Sequence, residues 1–93
     1  MDLIQEIRNE KQWFRKCLGI LTYHTLKQQE YENIRGSKWR VSDTARKLGL
    51  SDGYVSESLL LAKSFSKFSG HLEKMTRDKA LKFLRNGTYE KGN

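Results

Sequence analysis

Between Ser51 and Lys63 lie several small or polar residues: Ser51, Asp52, Gly53, Ser56 and Glu57. On one exposed helix face, such groups offer donors and acceptors to base edges. Their small size lets a helix enter the major groove of duplex DNA, so these are the expected base-reading residues. Around them stand groups suited to phosphate. Lys38, Arg40, Arg46, Lys47 and Lys63 supply charge, Ser42 and Tyr54 supply hydroxyls, and Trp39 is an aromatic held between two cations in SKWR.

Positioning them requires two helices meeting at a tight turn, and the stretch Val41 to Leu61, VSDTARKLGLSDGYVSESLLL, reads that way. Ser42 is the expected N-cap of the first helix, with Asp43 in its first turn against the positive end of the helix dipole. Ala45 and Leu48 share one face, and the small alanine admits a second helix at a steep angle. Gly49 falls where that helix must stop and the chain reverse, a position that favours a left-handed backbone. Leu50 plugs the corner. Ser51 or Asp52 then caps a second helix whose Val55, Leu59 and Ala62 repeat toward the core. A plain αα-hairpin needs the same small residue, turn glycine and apolar seams; the basic surroundings tip the reading to DNA binding.

These residues also carry a resemblance. GLSDGYVSESLLLA resembles the helix-turn-helix of the ParB/KorB-type partition and repressor proteins, approximately G-x-S-x-x-Y-V-[ST]-x-x-L-x-L, with Gly49, Ser51, Tyr54, Val55, Ser56, Leu59 and Leu61 in register. SKFSGHLEKMTRDKALKFL resembles the support helices of that family, so the likeness spans roughly residues 41 to 85. Nothing resembles the nucleotide-binding part of partition proteins. The resemblance therefore implies a DNA-reading module, without a clamp or an NTPase.

Charge is distributed to match. Of the net +7, residues 1–35 contribute +1 and residues 36–93 contribute +6, so the basic excess lies with the motif and the segment after it. A field of that sign attracts the phosphate backbone and releases condensed counterions on binding. For any single lysine, plain solubility is the simpler account.

With 93 residues, 37% of them hydrophobic, the chain can bury one modest core, and no proline or Gly/Ser-rich linker divides it. The expectation is an all-α fold: a small helical domain, residues 1–93, built around a helix-turn-helix. N-terminal helices are expected over about 2–34, the helix-turn-helix over about 42–64 and C-terminal support helices over about 67–86. Leu3, Ile7, Phe14, Leu18 and Leu21 form an apolar stripe widened by Ile4, Trp13, Cys17 and Ile20. It fits one long helix, or two broken near Gly19 or Thr22–Thr25, ending at Gly36-Ser37. It either covers the back of the helix-turn-helix or, in part, forms a homodimer seam.

Phe65, Phe68 and Leu72 are expected in the core. Thr76 should cap a last helix with Ala80, Leu81 and Leu84 inward, stopped by Asn86-Gly87 ahead of a frayed tail. Trp39 either rests on a sugar-phosphate strand or is buried beneath the helix pair. Tyr54 either donates to a phosphate or packs beside Val55.

Enzymatic chemistry finds no support in the sequence. His24 and His71 lack a second ligand at metal spacing and are expected at the surface or half-buried, and Cys17 reads as a small buried residue of a protein from a reducing compartment. No phosphate loop, acid pair or zinc pattern occurs, so no catalysis, metal or cofactor is expected. The charged N-terminus and the lack of a long apolar run argue against a signal peptide or membrane span. The expected setting is the cytoplasm of a bacterial or phage-infected cell, at the nucleoid. The expected function is sequence-specific binding of double-stranded DNA, as a plasmid, phage or satellite regulator or a partition-type site binder. Two alternatives stand: the origin-recognition part of a replication initiator or larger DNA-targeting enzyme, and a helical interaction module for an acidic protein.

Overall fold

A computed structural model describes residues 2–34, 37–72 and 74–85, with backbone alone over 65–72. Among these the chain forms five helices: α1 (Leu3–Asn9), α2 (Trp13–Glu32), α3 (Val41–Leu48), α4 (Asp52–Leu72) and α5 (Arg77–Arg85). No helix among the described residues is long and apolar enough to cross a membrane.

The N-terminal stripe divides into two helices, and the break lies ahead of both expected places. Asp2 caps α1 by accepting from the Gln5 N–H at 2.8 Å, and the chain turns through Glu10, Lys11 and Gln12 before α2 begins. Gly19 sits inside α2 for a packing reason. A Cβ there would lie 3.0 Å from Ile7 Cγ1, so its absence lets α1 lie close against α2. Thr22 donates to the Leu18 carbonyl, four residues back along the intact helix.

α2 runs through the middle of the molecule and packs chiefly on α4, with α1 and α3 beside it. Its buried face joins two apolar clusters. One gathers Ile7, Ile20, Tyr23, Trp39, Ala45, Leu48, Val55 and Leu59; the other gathers Cys17, Leu61, Ala62, Ala80 and Leu81. Leu21 touches both clusters, Leu3 and Ile4 pack on the first, and Trp13 and Leu18 on the second. The stripe is thus largely taken up inside one chain, which leaves little of it for a dimer seam. Phe14 is half-buried, edge-on to Trp13.

α4 continues past residue 64, where the helix-turn-helix was expected to end and a separate support helix to follow. Between Val55 and Ser69 no glycine or proline interrupts it. After Met75, Thr76 caps α5: its hydroxyl accepts from the Lys79 N–H at 3.3 Å, and Ala80 and Leu81 turn inward as expected. The Trp13 indole N–H donates to the Met75 carbonyl at 3.0 Å, pinning the approach to α5 onto α2. The expected core roles of the Phe65, Phe68 and Leu72 side chains, the break at Gly36, the surface or half-buried placing of His71, and the helix stop and tail from Asn86 onward lie outside the described residues.

Candidate nucleic-acid interface

α3 and α4 form the helix-turn-helix, and its corner is set by the backbone of Gly49. That residue has φ 71° and ψ 34°, in the left-handed region that a side chain disfavours. Its N–H donates to the Arg46 carbonyl at 3.3 Å while the Leu50 N–H donates to the Ala45 carbonyl at 2.9 Å. These two bonds satisfy carbonyls left over at the end of α3 and fix the reversal as a Schellman turn. Ser51 then caps α4, its Oγ accepting from the Tyr54 N–H at 3.1 Å. Ala45, Leu48, Val55 and Leu59 meet in the angle between the helices, all buried.

The other end of α3 differs from expectation. Arg40, not Ser42, is the N-cap residue, and the Asp43 carboxylate reaches back to accept the Arg40 N–H at 2.9 Å. Arg40 contributes backbone geometry only, because its side chain has no acceptor. Ser42 consequently lies inside the first turn, half-buried. The Arg40 N–H, followed by the Arg46 guanidinium, holds Asp43 below the usual carboxylate range.

Of the expected base-reading set, Ser51, Asp52, Gly53 and Ser56 are exposed at the start of α4. Glu57 is not among the free groups. Its Oε1 accepts from Arg77 Nη1 at 3.3 Å and its Oε2 from Arg85 Nη2 at 2.9 Å, so both oxygens are held by α5. These bonds, with Arg77 first, keep its carboxyl below its ordinary value. Glu57 therefore differs from the other four: its partners lie on the neighbouring helix.

Of the expected phosphate set, Lys38, Arg40, Arg46, Lys47 and Lys63 are exposed. Arg46 bonds Asp43 at 3.2 Å yet keeps 73% of its side chain accessible, so that pair is well screened. Trp39 takes the second of its two expected placings. It is buried against Tyr23 and Tyr31, and its indole N–H donates to Thr44 Oγ1 at 2.7 Å. Only 9% of it is left accessible.

Thr44 Oγ1 also lies 2.6 Å from His24 Nδ1. The Thr44 hydroxyl thus accepts the Trp39 N–H and shares a second hydrogen bond with the imidazole, whose direction follows the ring tautomer. His24 is therefore buried and hydrogen-bonded rather than at the surface or half-buried, and burial, with Lys63 as a second cause, lowers its pKa from 6.5. The triad ties α2, α3 and the segment before α3 at one point.

Sequence reasoning assigned no role to Arg77. Its side chain is only 18% exposed. Nη2 donates to the Tyr54 carbonyl at 3.2 Å and to Ser58 Oγ at 3.1 Å, and the guanidinium stacks 4.0 Å from the centre of the Tyr54 ring. Tyr54 is half-buried and packs on the first cluster, close to the second of its expected placings. Cys17 is buried, as expected, and burial raises its thiol pKa against the neighbouring Ser58 hydroxyl and Arg77 charge. Leu60 was also missed, although its spacing from Ser56 and Lys63 was readable; it is exposed on the same side of α4. Among the described residues, no group of three or more His, Cys, Asp or Glu is arranged to hold a metal. Comparison of the chain with protein-family models, with curated proteins and with solved structures finds no match.

Proposed function

We propose that this protein binds double-stranded DNA with sequence preference, presenting the first turns of α4 to the major groove. The observation that carries the reading is the exposed run Asp52, Gly53 and Ser56, short enough for close approach, at a capped helix start beside exposed Lys38, Arg40, Arg46, Lys47 and Lys63. The resemblance of residues 41 to 85 to ParB/KorB-type proteins supports the same reading. The role it suggests is that of a plasmid, phage or satellite regulator or partition-type site binder, acting in the cytoplasm at the nucleoid. Recognition of a replication origin would use the same face.

Selection of bound duplexes from a random pool, followed by titration at several salt concentrations, tests the proposal. A recovered consensus site and a log Kd that rises linearly with log salt are the expected results. Equal affinity for all duplexes would remove sequence reading. Absence of duplex binding with retained affinity for acidic protein would favour the interaction-module alternative.

A further inference from the structure

Leu60 is a large apolar side chain left 41% exposed in an otherwise polar helix face. It follows Gly53 and Ser56 and precedes Lys63 at separations of three and four residues, so these residues share one side of α4, and all are exposed. Its neighbours Leu59 and Leu61 are buried in the two clusters, which leaves the core no use for Leu60. Gly53 is a second residue on this side that the fold does not explain. A Cβ there would meet nothing within 4 Å, and its φ is not left-handed. A glycine at such a helical site loses stability relative to alanine without relieving any contact inside the protein.

A missing side chain and a surplus apolar one on the same face fit a single partner surface, close to the helix at Gly53 and apolar opposite Leu60. Lys63 beyond it, and the +6 carried by residues 36–93, favour a surface that is anionic overall. The major groove combines these properties, because the thymine C5-methyl is its apolar group and phosphates line its edges. We propose that Leu60 recognises a thymine methyl in the major groove, while Gly53 marks where α4 approaches the duplex most closely. The inference rests on the DNA-binding reading above and names a specificity residue within it.

The test starts from the preferred duplex recovered by selection. Each thymine is replaced in turn by deoxyuridine, which removes the methyl and keeps the base pair. One replacement should weaken wild-type binding about fourfold, the worth of one buried methyl-sized group. Leu60→Ala should bind the thymine duplex about fourfold more weakly and be indifferent to that replacement. Because Leu60 is exposed, the variant should retain its helical circular dichroism. Gly53→Ala should melt no lower than wild type and lose duplex affinity. A preferred site indifferent to every replacement, or a methyl response that persists in Leu60→Ala, overturns the role of Leu60 and leaves DNA binding intact. Failure to recover any preferred duplex overturns both.

Discussion

Replacing Arg77 with alanine should loosen the grip of α5 on the first two turns of α4. Arg77 makes three hydrogen bonds there, to Glu57 Oε1, the Tyr54 carbonyl and Ser58 Oγ, and stacks 4.0 Å from the Tyr54 ring centre. Hydrogen bonds involving a charged group contribute about 1.5–3 kcal/mol each when well shielded, and a cation–π contact adds roughly 0.5–2 kcal/mol. Three offsets reduce that sum. Glu57 retains Arg85, Ser58 Oγ still donates to the Tyr54 carbonyl at 2.7 Å, and the buried Arg77 Nε has no hydrogen-bond partner, a cost the mutation removes. The net loss should be about 2–3 kcal/mol, which lowers the melting temperature of a domain this size by roughly 10–20 °C. Arg77→Lys keeps the charge but not the planar fork, so it should recover less than half of the loss. Thermal unfolding followed at 222 nm, with urea unfolding as a check, measures all three proteins. A loss below about 0.5 kcal/mol for Arg77→Ala, within the range of an ordinary surface substitution, would refute the reasoning.

Glu57→Ala should leave base preference unchanged at every position in competition binding and lower stability by up to about 1 kcal/mol, the scale of a partly exposed ion pair; a relaxed preference at one base pair would return Glu57 to the reading face. The lowered pKa of His24 gives a definite sign to pH dependence. Its contribution is fully present above its ordinary value of 6.5 and is lost as pH falls from there toward the folded-state value, because the unfolded chain takes the proton first. The urea midpoint should therefore fall from about pH 7.5 to about pH 5 in the wild type, and less steeply in His24→Gln. Neutralising Lys38, Arg40 or Lys47 singly should weaken all duplexes alike and lower the log–log salt slope by about one unit, whereas Trp39→Phe should cost stability and leave the slope unchanged. Ile7→Glu should unfold the chain rather than separate a dimer, and sedimentation of the wild type should give a monomer near 10.9 kDa; a wild-type dimer that Ile7→Glu separates with helicity retained would show that the N-terminal stripe is shared between chains.

The turn was legible in the sequence because its requirements are local. A left-handed residue at Gly49, a capping hydroxyl at Ser51 and small or branched apolar residues at Ala45 and Val55 are each demanded by backbone within a few positions. The pairing of Glu57 was not legible, for the opposite reason. Its partners Arg77 and Arg85 lie 20 and 28 residues downstream, and no periodicity within α4 reveals which helix will pack across it. Trp39 depended on Thr44, nearby in the chain, and on Thr44 meeting His24, 20 residues upstream. Gly19 has two meanings that sequence alone does not separate, a helix break or a close approach, and Ile7 decides between them.

With Glu57 held by α5 and Trp39 buried, the exposed groups of the proposed DNA-reading face are of one kind. What remains on α4 is one carboxylate at its start, a glycine, short hydroxyl side chains, a leucine and a lysine, with no long forked group to search for a partner. Short groups tolerate little error in the placing of their helix, since a shift of about 1 Å breaks a hydrogen bond that a flexible arginine would follow. The support is concentrated where that demand is greatest. The Schellman turn, the Ser51 cap and all three Arg77 hydrogen bonds act on residues 49–58, the same stretch that presents Asp52, Gly53 and Ser56. Arg77 thus becomes a positioning residue in the proposed DNA reading. Its loss should weaken the preferred duplex more than random duplex at a temperature where the variant is still folded, although its side chain is turned inward and only 18% exposed.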